Sequence, residues 1–246
     1  MRRLLLASLV ALLVLTPAFA APGYKARVTT TIAISDAFFK ALGPGMSGAI
    51  KPGSFTIPPV TGMLYVSGKA RRLDMNAPGG TMTSLFDTSG NGYMLDAKKQ
   101  VAWKLPKPQA KDGDLPLFNL DQMASNWPAI SARMKALPGI KSTELGAKKI
   151  DGQACHGMKM TGDIRKLLSA DGVQIAPGMP TLQNMKGNWS GTVWVHDKLG
   201  LPLRMTSSYS GITINWQLSG LKSAAIPDSM LKLPPGYAVK DSPKPQ

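Results

Sequence analysis

One cysteine, two histidines and a single glutamate, Glu144, are spread through this chain of 246 residues. The lone Cys155 excludes an internal disulfide, so stability must come from an ordinary core. Two histidines and one cysteine at long spacing lack the paired-ligand pattern of a zinc site. There is no GxSxG elbow for a hydrolytic serine and no glycine-rich phosphate loop. Cys155 and His156 are adjacent, as are His196 and Asp197. Neighbours on a strand point to opposite faces, so adjacency makes neither pair a catalytic dyad, and Cys155 reads as a small buried side chain. These absences leave no constellation for nucleophilic or metal chemistry. The expectation is a protein that is not an enzyme and needs no cofactor or metal.

Acid is scarce as well. The chain has 29 Lys+Arg against 14 Asp+Glu, a formal charge of +15. Such a balance favours anionic partners, including lipid head groups and membrane surfaces. The lysines are scattered, and basic doublets include Arg71-Arg72, Lys98-Lys99 and Lys148-Lys149. A solvated basic surface that keeps the protein soluble explains such a distribution equally well. Long apolar runs are confined to the start. Arg2 and Arg3 precede the apolar stretch Leu4 to Leu15, and Ala18-Phe19-Ala20 fits a small-x-small cleavage site. This is the signature of a cleavable signal peptide over residues 1–20. The apolar run is shorter than the ~20 residues needed to span a bilayer. No cysteine follows the cleavage site, so lipid attachment there is excluded. Two basic residues leave with the signal, so the mature chain carries 27 − 14 = +13. The expected location is a Gram-negative periplasm, which argues against a nucleic-acid partner.

What the sequence has in quantity is short alternating segments. Leu201, Leu203, Met205, Ser207 and Tyr209 alternate with Arg204, Thr206 and Ser208. Ile212, Ile214, Trp216 and Leu218 alternate with Thr213, Asn215, Gln217 and Ser219. A period of two over this length predicts antiparallel sheet with one apolar and one polar face. Further strands are expected at Tyr24–Ala33, Gly62–Gly68, Ala70–Asn76, Thr81–Asp87, Gly92–Asp96, Gln100–Leu105, Lys141–Ile150, Gln153–Thr161 and Thr192–Asp197, punctuated by turn residues such as Asp151-Gly152. Short helices are expected at Ala37–Leu42, over Ala129–Leu137 with a start at Asn126-Trp127-Pro128, and at Ile164–Ser169 behind an Asp163 cap. Residues 222–225 read as a spacer before the closing tail. The apolar segment Val173–Met185 is broken by Pro177 and Pro180. No internal repeat appears. The organisation read here is one mainly β domain of α+β type over 21–241, a large antiparallel sheet with short inserted helices, then a frayed tail over 242–246.

Fourteen methionines and five tryptophans supply adaptable apolar surface. Methionine fits variable apolar partners, although it also fills irregular cores. Short, proline-broken helices seal such a sheet incompletely, and the remainder is a candidate cavity.

The stretches GMLYVSGKARRLDM, LFDTSGNGYMLDAKKQVAWKL, KKIDGQACHGMKM, TVWVHDKLGLPLRM and IPDSMLKLPPGY, in that order, resemble the LolA/LolB-like lipoprotein-sorting superfamily, and most closely its periplasmic relatives of unknown function. The resemblance spans Gly62 to Tyr237. It implies a half-open antiparallel β-barrel with lid helices and an apolar cavity for acyl chains. It also points to Arg72, beside Arg71, as a contact for the lid or a head group. The function expected on this basis is non-catalytic binding of a lipid, an acyl chain or a lipidated protein, with Met82, Phe86, Trp194, Met205 and Trp216 facing the cavity. The competing reading is an envelope interaction or sensor module that binds another protein through its sheet.

Overall fold

The computed structural model describes residues 21–36, 38, 57–77, 80–105, 127–136, 139–163 and 188–241. The expected signal peptide, most of the helix at 37–42, the helix at 164–169, the proline-broken segment and the tail beyond 241 lie outside these residues.

Twelve strands form one sheet. They are β1 (Ala21–Ile34), β2 (Val60–Ser67), β3 (Ala70–Ala77), β4 (Gly80–Phe86), β5 (Gly92–Asp96), β6 (Val101–Lys104), β7 (Ile140–Ile150), β8 (Gln153–Asp163), β9 (Asn188–His196), β10 (Pro202–Tyr209), β11 (Ile212–Ile226) and β12 (Ala238–Asp241). A single helix, α1 (Trp127–Lys135), and a 3-10 turn, Asp228–Leu231, complete the described elements. The spatial order is β12-β6-β5-β4-β3-β2-β1-β11-β10-β9-β8-β7. Every pairing is antiparallel except β12 on β6, which is parallel. The end strands β12 and β7 do not pair with each other, so the curled sheet stays a half-open barrel.

Local chemistry sets the reversals. Asp151-Gly152 joins β7 to β8 and Ser210-Gly211 joins β10 to β11, and all four residues have positive φ, the conformation of two-residue hairpins. Between β4 and β5, Asp87 Oδ1 accepts from the backbone N–H groups of Ser89 and Asn91, each at 2.9 Å. The structure corrects the reading of residues 222–225 as a spacer. They continue β11 past an irregularity in its pairing with β1, between Lys25 and Arg27. Gly220 lies there with φ 61°, and its N–H donates to Asp151 Oδ2 at 2.6 Å. An extra residue at this point shifts the alternation by one, which hides the strand from a period-two reading. Asp163, expected as a helix cap, is the last residue of β8. β12 was not foreseen.

Register assigns each side chain to a face. Helix α1 packs Ile130 and Met134 against Met158, Met160, Trp189, Val193 and Val195, with Met205 and Tyr209 alongside. The face it covers is termed inner. A second cluster joins Ala26, Val28, Leu64, Val66 and Leu218 with Ile150, Cys155, Leu201 and Leu203. After Ile226 the chain crosses the opposite, outer face toward the far edge. Leu231 and Met230 pack there with Ala70, Tyr65 and Ile226, and Ala238 N–H then donates to Gln100 O at 2.8 Å as β12 begins. This segment, 227–237, is a strap over the outer face.

Candidate functional site

The inner face is traced by following partners across the sheet. Met82 stands opposite Met75, Met75 opposite Gly62, Gly62 opposite Val28 and Val28 opposite Leu218. Trp216, two residues before Leu218, stands opposite Met205. Phe86 stands opposite Arg71, which is opposite Val66. Met82, Phe86, Met205 and Trp216 therefore share the inner face. Trp194 and Arg72 do not. Trp194 is opposite Arg204 and Gly157 on the outer face, and Arg72 is opposite Leu85 and Tyr65 there. Arg72 Nε donates to Asp74 at 3.0 Å, and its Nη1 donates to Met230 O at 3.4 Å, which fastens the strap.

Polar bonds as well as apolar contact hold α1 in place. Ser131 Oγ and Lys135 Nζ both donate to Glu144 Oε1 on β7, at 2.7 and 2.6 Å. The Lys135 hydrogen bond, followed by the one from Ser131, holds the Glu144 carboxyl below its ordinary pKa. Ser142 Oγ donates to the Met134 carbonyl at 2.9 Å. Trp127, the first helical residue, stacks on His156 with ring centroids 5.5 Å apart and planes 17° apart. His156 Nδ1 in turn meets Asp197 Oδ1 at 2.7 Å. Sequence reading missed this pair, because His156 and Asp197 meet only through the β8–β9 pairing.

Cys155 and His196 are bonded within the sheet and its turns. Burial pushes the Cys155 thiol up, and its Sγ donates to Lys148 O at 3.1 Å. His196 Nδ1 accepts from Lys198 and Leu199 N–H, at 3.1 and 3.3 Å, in the β9–β10 turn. Its proton is therefore on Nε2, which donates to Gln153 Oε1 at 3.2 Å, while burial pushes its pKa down. No group of three or more metal-ligating side chains occurs among the described residues.

Exposure separates the two ends of the inner face. Under α1, Met158 and Met160 are fully buried, whereas Met82 on β4 is 48% exposed and Ile214 on β11 is 38% exposed. Leu73, Met75, Phe86, Met94 and Trp103 on the same face are half-buried. Recesses are also found among the described residues. One of about 250 Å³ lies between Lys69, Arg71 and the Thr88–Gly90 turn, and one of about 490 Å³ lies on the outer face among Arg27, Thr61, Met63, Tyr65, Asp74 and Asn76.

No family profile matches the chain, and no curated protein matches it significantly. Among solved structures it is similar to LprF from Mycobacterium bovis, with 13% identity, 88% of this chain and 90% of that chain covered, and a TM-score of 0.38. It is similar to the MucA/MucB complex structure from Pseudomonas aeruginosa, with 12% identity, 87% of this chain and 56% of that chain covered, and a TM-score of 0.40. It is also similar to an outer membrane lipoprotein-sorting protein domain from Vibrio parahaemolyticus, with 8% identity, 85% and 89% of the two chains covered, and a TM-score of 0.33.

Proposed function

We propose that the protein is an exported, periplasmic binding protein that holds the acyl part of a lipid or lipidated protein against its inner face and carries out no catalysis. The observation that carries this reading is the run of apolar side chains left partly open on one face. Met82 and Ile214 are exposed there, and Leu73, Met75, Phe86, Met94 and Trp103 are only half-buried. Soluble proteins rarely leave a contiguous apolar patch of this kind without a partner. Flexible methionines suit a chain of variable length and saturation. Met82, Phe86, Met205 and Trp216 are the contacts proposed, and the resemblance to lipoprotein-sorting proteins supports the ligand class. The signal-like first twenty residues support the location.

Native mass spectrometry after mild purification tests the reading. The expected result is a co-purified mass that exchanges with added lipid and falls in the Met82→Glu, Phe86→Ala double variant. A bare protein that takes up no added lipid overturns it.

A further inference from the structure

Basic residues that look scattered in the sequence are gathered by the strand register. Arg27 on β1, Lys222 on β11, Arg204 on β10, Lys159 on β8, and Lys141 and Lys148 on β7 are all exposed. All six lie on the outer face. Arg27 is opposite Ser219, Arg204 is opposite both Gln217 and Trp194, and Lys159 is opposite Thr192. Lys141 is opposite Thr161, and Lys148 is opposite Cys155. Lys222 stands directly across from Lys25, a like-charge pair that costs stability in a sheet.

Little offsets this charge. None of the six is in an ion pair among the described residues. On the outer face of β1 and β7–β11, the one strand acid among the described residues is Asp163, at the end of β8. Glu144 is on the inner face, opposite Met158, and Asp151 and Asp197 sit at turns. An aromatic residue sits within the same field. The Trp194 ring lies flat over Gly157, where an added Cβ would come within 2.6 Å of it, and Lys148 Nζ sits 3.5 Å from the ring centroid.

We propose that this face docks the protein on an anionic phospholipid surface. The cations span six neighbouring strands, a width of about 24 Å at ~4.8 Å per strand. That breadth suits a two-dimensional array of head groups better than a single extended polyanion, which follows a groove lined by stacking aromatics. A tryptophan amid cations is the side chain expected at a membrane–water boundary, because its ring is apolar and its N–H polar. The strap's packed partners among the described residues, Tyr65, Ala70, Ala224 and Ile226, lie on β2, β3 and the end of β11.

Flotation of the whole protein with vesicles of equimolar phosphatidylglycerol and phosphatidylcholine is the test. Binding is expected to these vesicles and not to pure phosphatidylcholine, with release at about 0.5 M salt, where screening is short-ranged. Each neutralised cation is expected to weaken binding about fivefold, so Arg27→Gln, Lys159→Gln and Arg204→Gln together lower it on the order of a hundredfold. The triple variant Lys99→Gln, Lys135→Gln, Lys232→Gln removes the same charge from cations that are ion-paired elsewhere, and it should bind like the parent. Equal losses in both triple variants reduce the effect to net charge and overturn the proposal. Equal binding to pure phosphatidylcholine overturns it, and so does a DNA duplex bound as tightly with the same dependence on Arg27, Lys159 and Arg204. All six substitutions are at exposed side chains, and unchanged thermal melts confirm folding. Docking is scored separately from lipid carried on the inner face. Failed flotation with lipid still in the mass spectrum rejects this proposal alone.

Discussion

The two halves of the sheet are covered on opposite faces. Over β8–β10 the helix seals the inner face through Ile130 and Met134, and the outer face carries the exposed cations Lys159 and Arg204. Over β3–β6 the strap runs along the outer face, where Leu85, Leu95 and Ala102 are buried, and it is the inner face that leaves Met82 open. One continuous hydrogen-bonded sheet thus changes which side is core along its width. A period-two pattern reports that a strand has two unlike faces, but not which neighbour covers the apolar one. Capacity for an apolar ligand remains where the helix stops, and capacity for a charged surface remains where the strap is not.

The sharpest way to break this contrast is to truncate one methionine from each half. Met160→Ala, under the helix, should cost about 3 kcal/mol, as large-to-small changes in packed cores do. Met82→Ala should stay within ~0.5 kcal/mol, as at a surface site. Urea denaturation measures both, and equal costs would mean that the inner face is sealed evenly. A smaller effect separates strap from sheet. Leu231→Ala should cost about 2 kcal/mol and make residues 227–237 the first site of limited proteolysis. Uniform cleavage would show that the strap is not a separate layer. The smallest effect concerns acid. Burial lowers the His196 pKa in the folded state from its ordinary 6.5, so the unfolded chain binds the proton more readily. Stability contributed by neutral His196 is intact above pH 6.5 and is lost as pH falls through the lower folded value. Protonating Nδ1 would also break its bonds from Lys198 and Leu199 in the β9–β10 turn. His196→Gln should flatten this part of the stability–pH curve, and an unchanged slope would assign it to another group.

Most of the strand layout was legible because each hairpin writes its own pattern. Asp151-Gly152, Ser210-Gly211 and the alternating runs around them place β7, β8, β10 and the start of β11 within a residue or two. Where the pattern is not local, reading stopped. β12 is four exposed residues whose parallel partner, β6, lies far back in the sequence. Residues 222–225 were lost because the irregularity at Gly220 changes the phase of the alternation. Within the candidate site, Met205 and Trp216 could be placed on one face because they belong to one hairpin. Trp194 was assigned to that face as well, yet the β9–β10 pairing sets it opposite Arg204. The pairing of His156 with Asp197 and the gathering of Arg27, Lys159 and Arg204 depend on inter-strand register, which no window of sequence contains.

The seam between β1 and β11 also carries a consequence in time. It pairs Ala21 with Ile226, so the two halves are joined by residues made near opposite ends of the chain. A chain emerging from its N-terminus presents β1 and β2 long before their remaining neighbour exists. Through that interval β1 keeps an unpaired edge, the kind that recruits foreign strands. Contacts this distant in sequence also slow folding. The joined sheet is therefore a late event, with the strap and β12 still to follow. An agent that shields a bare strand edge would matter most in the window before β11 arrives.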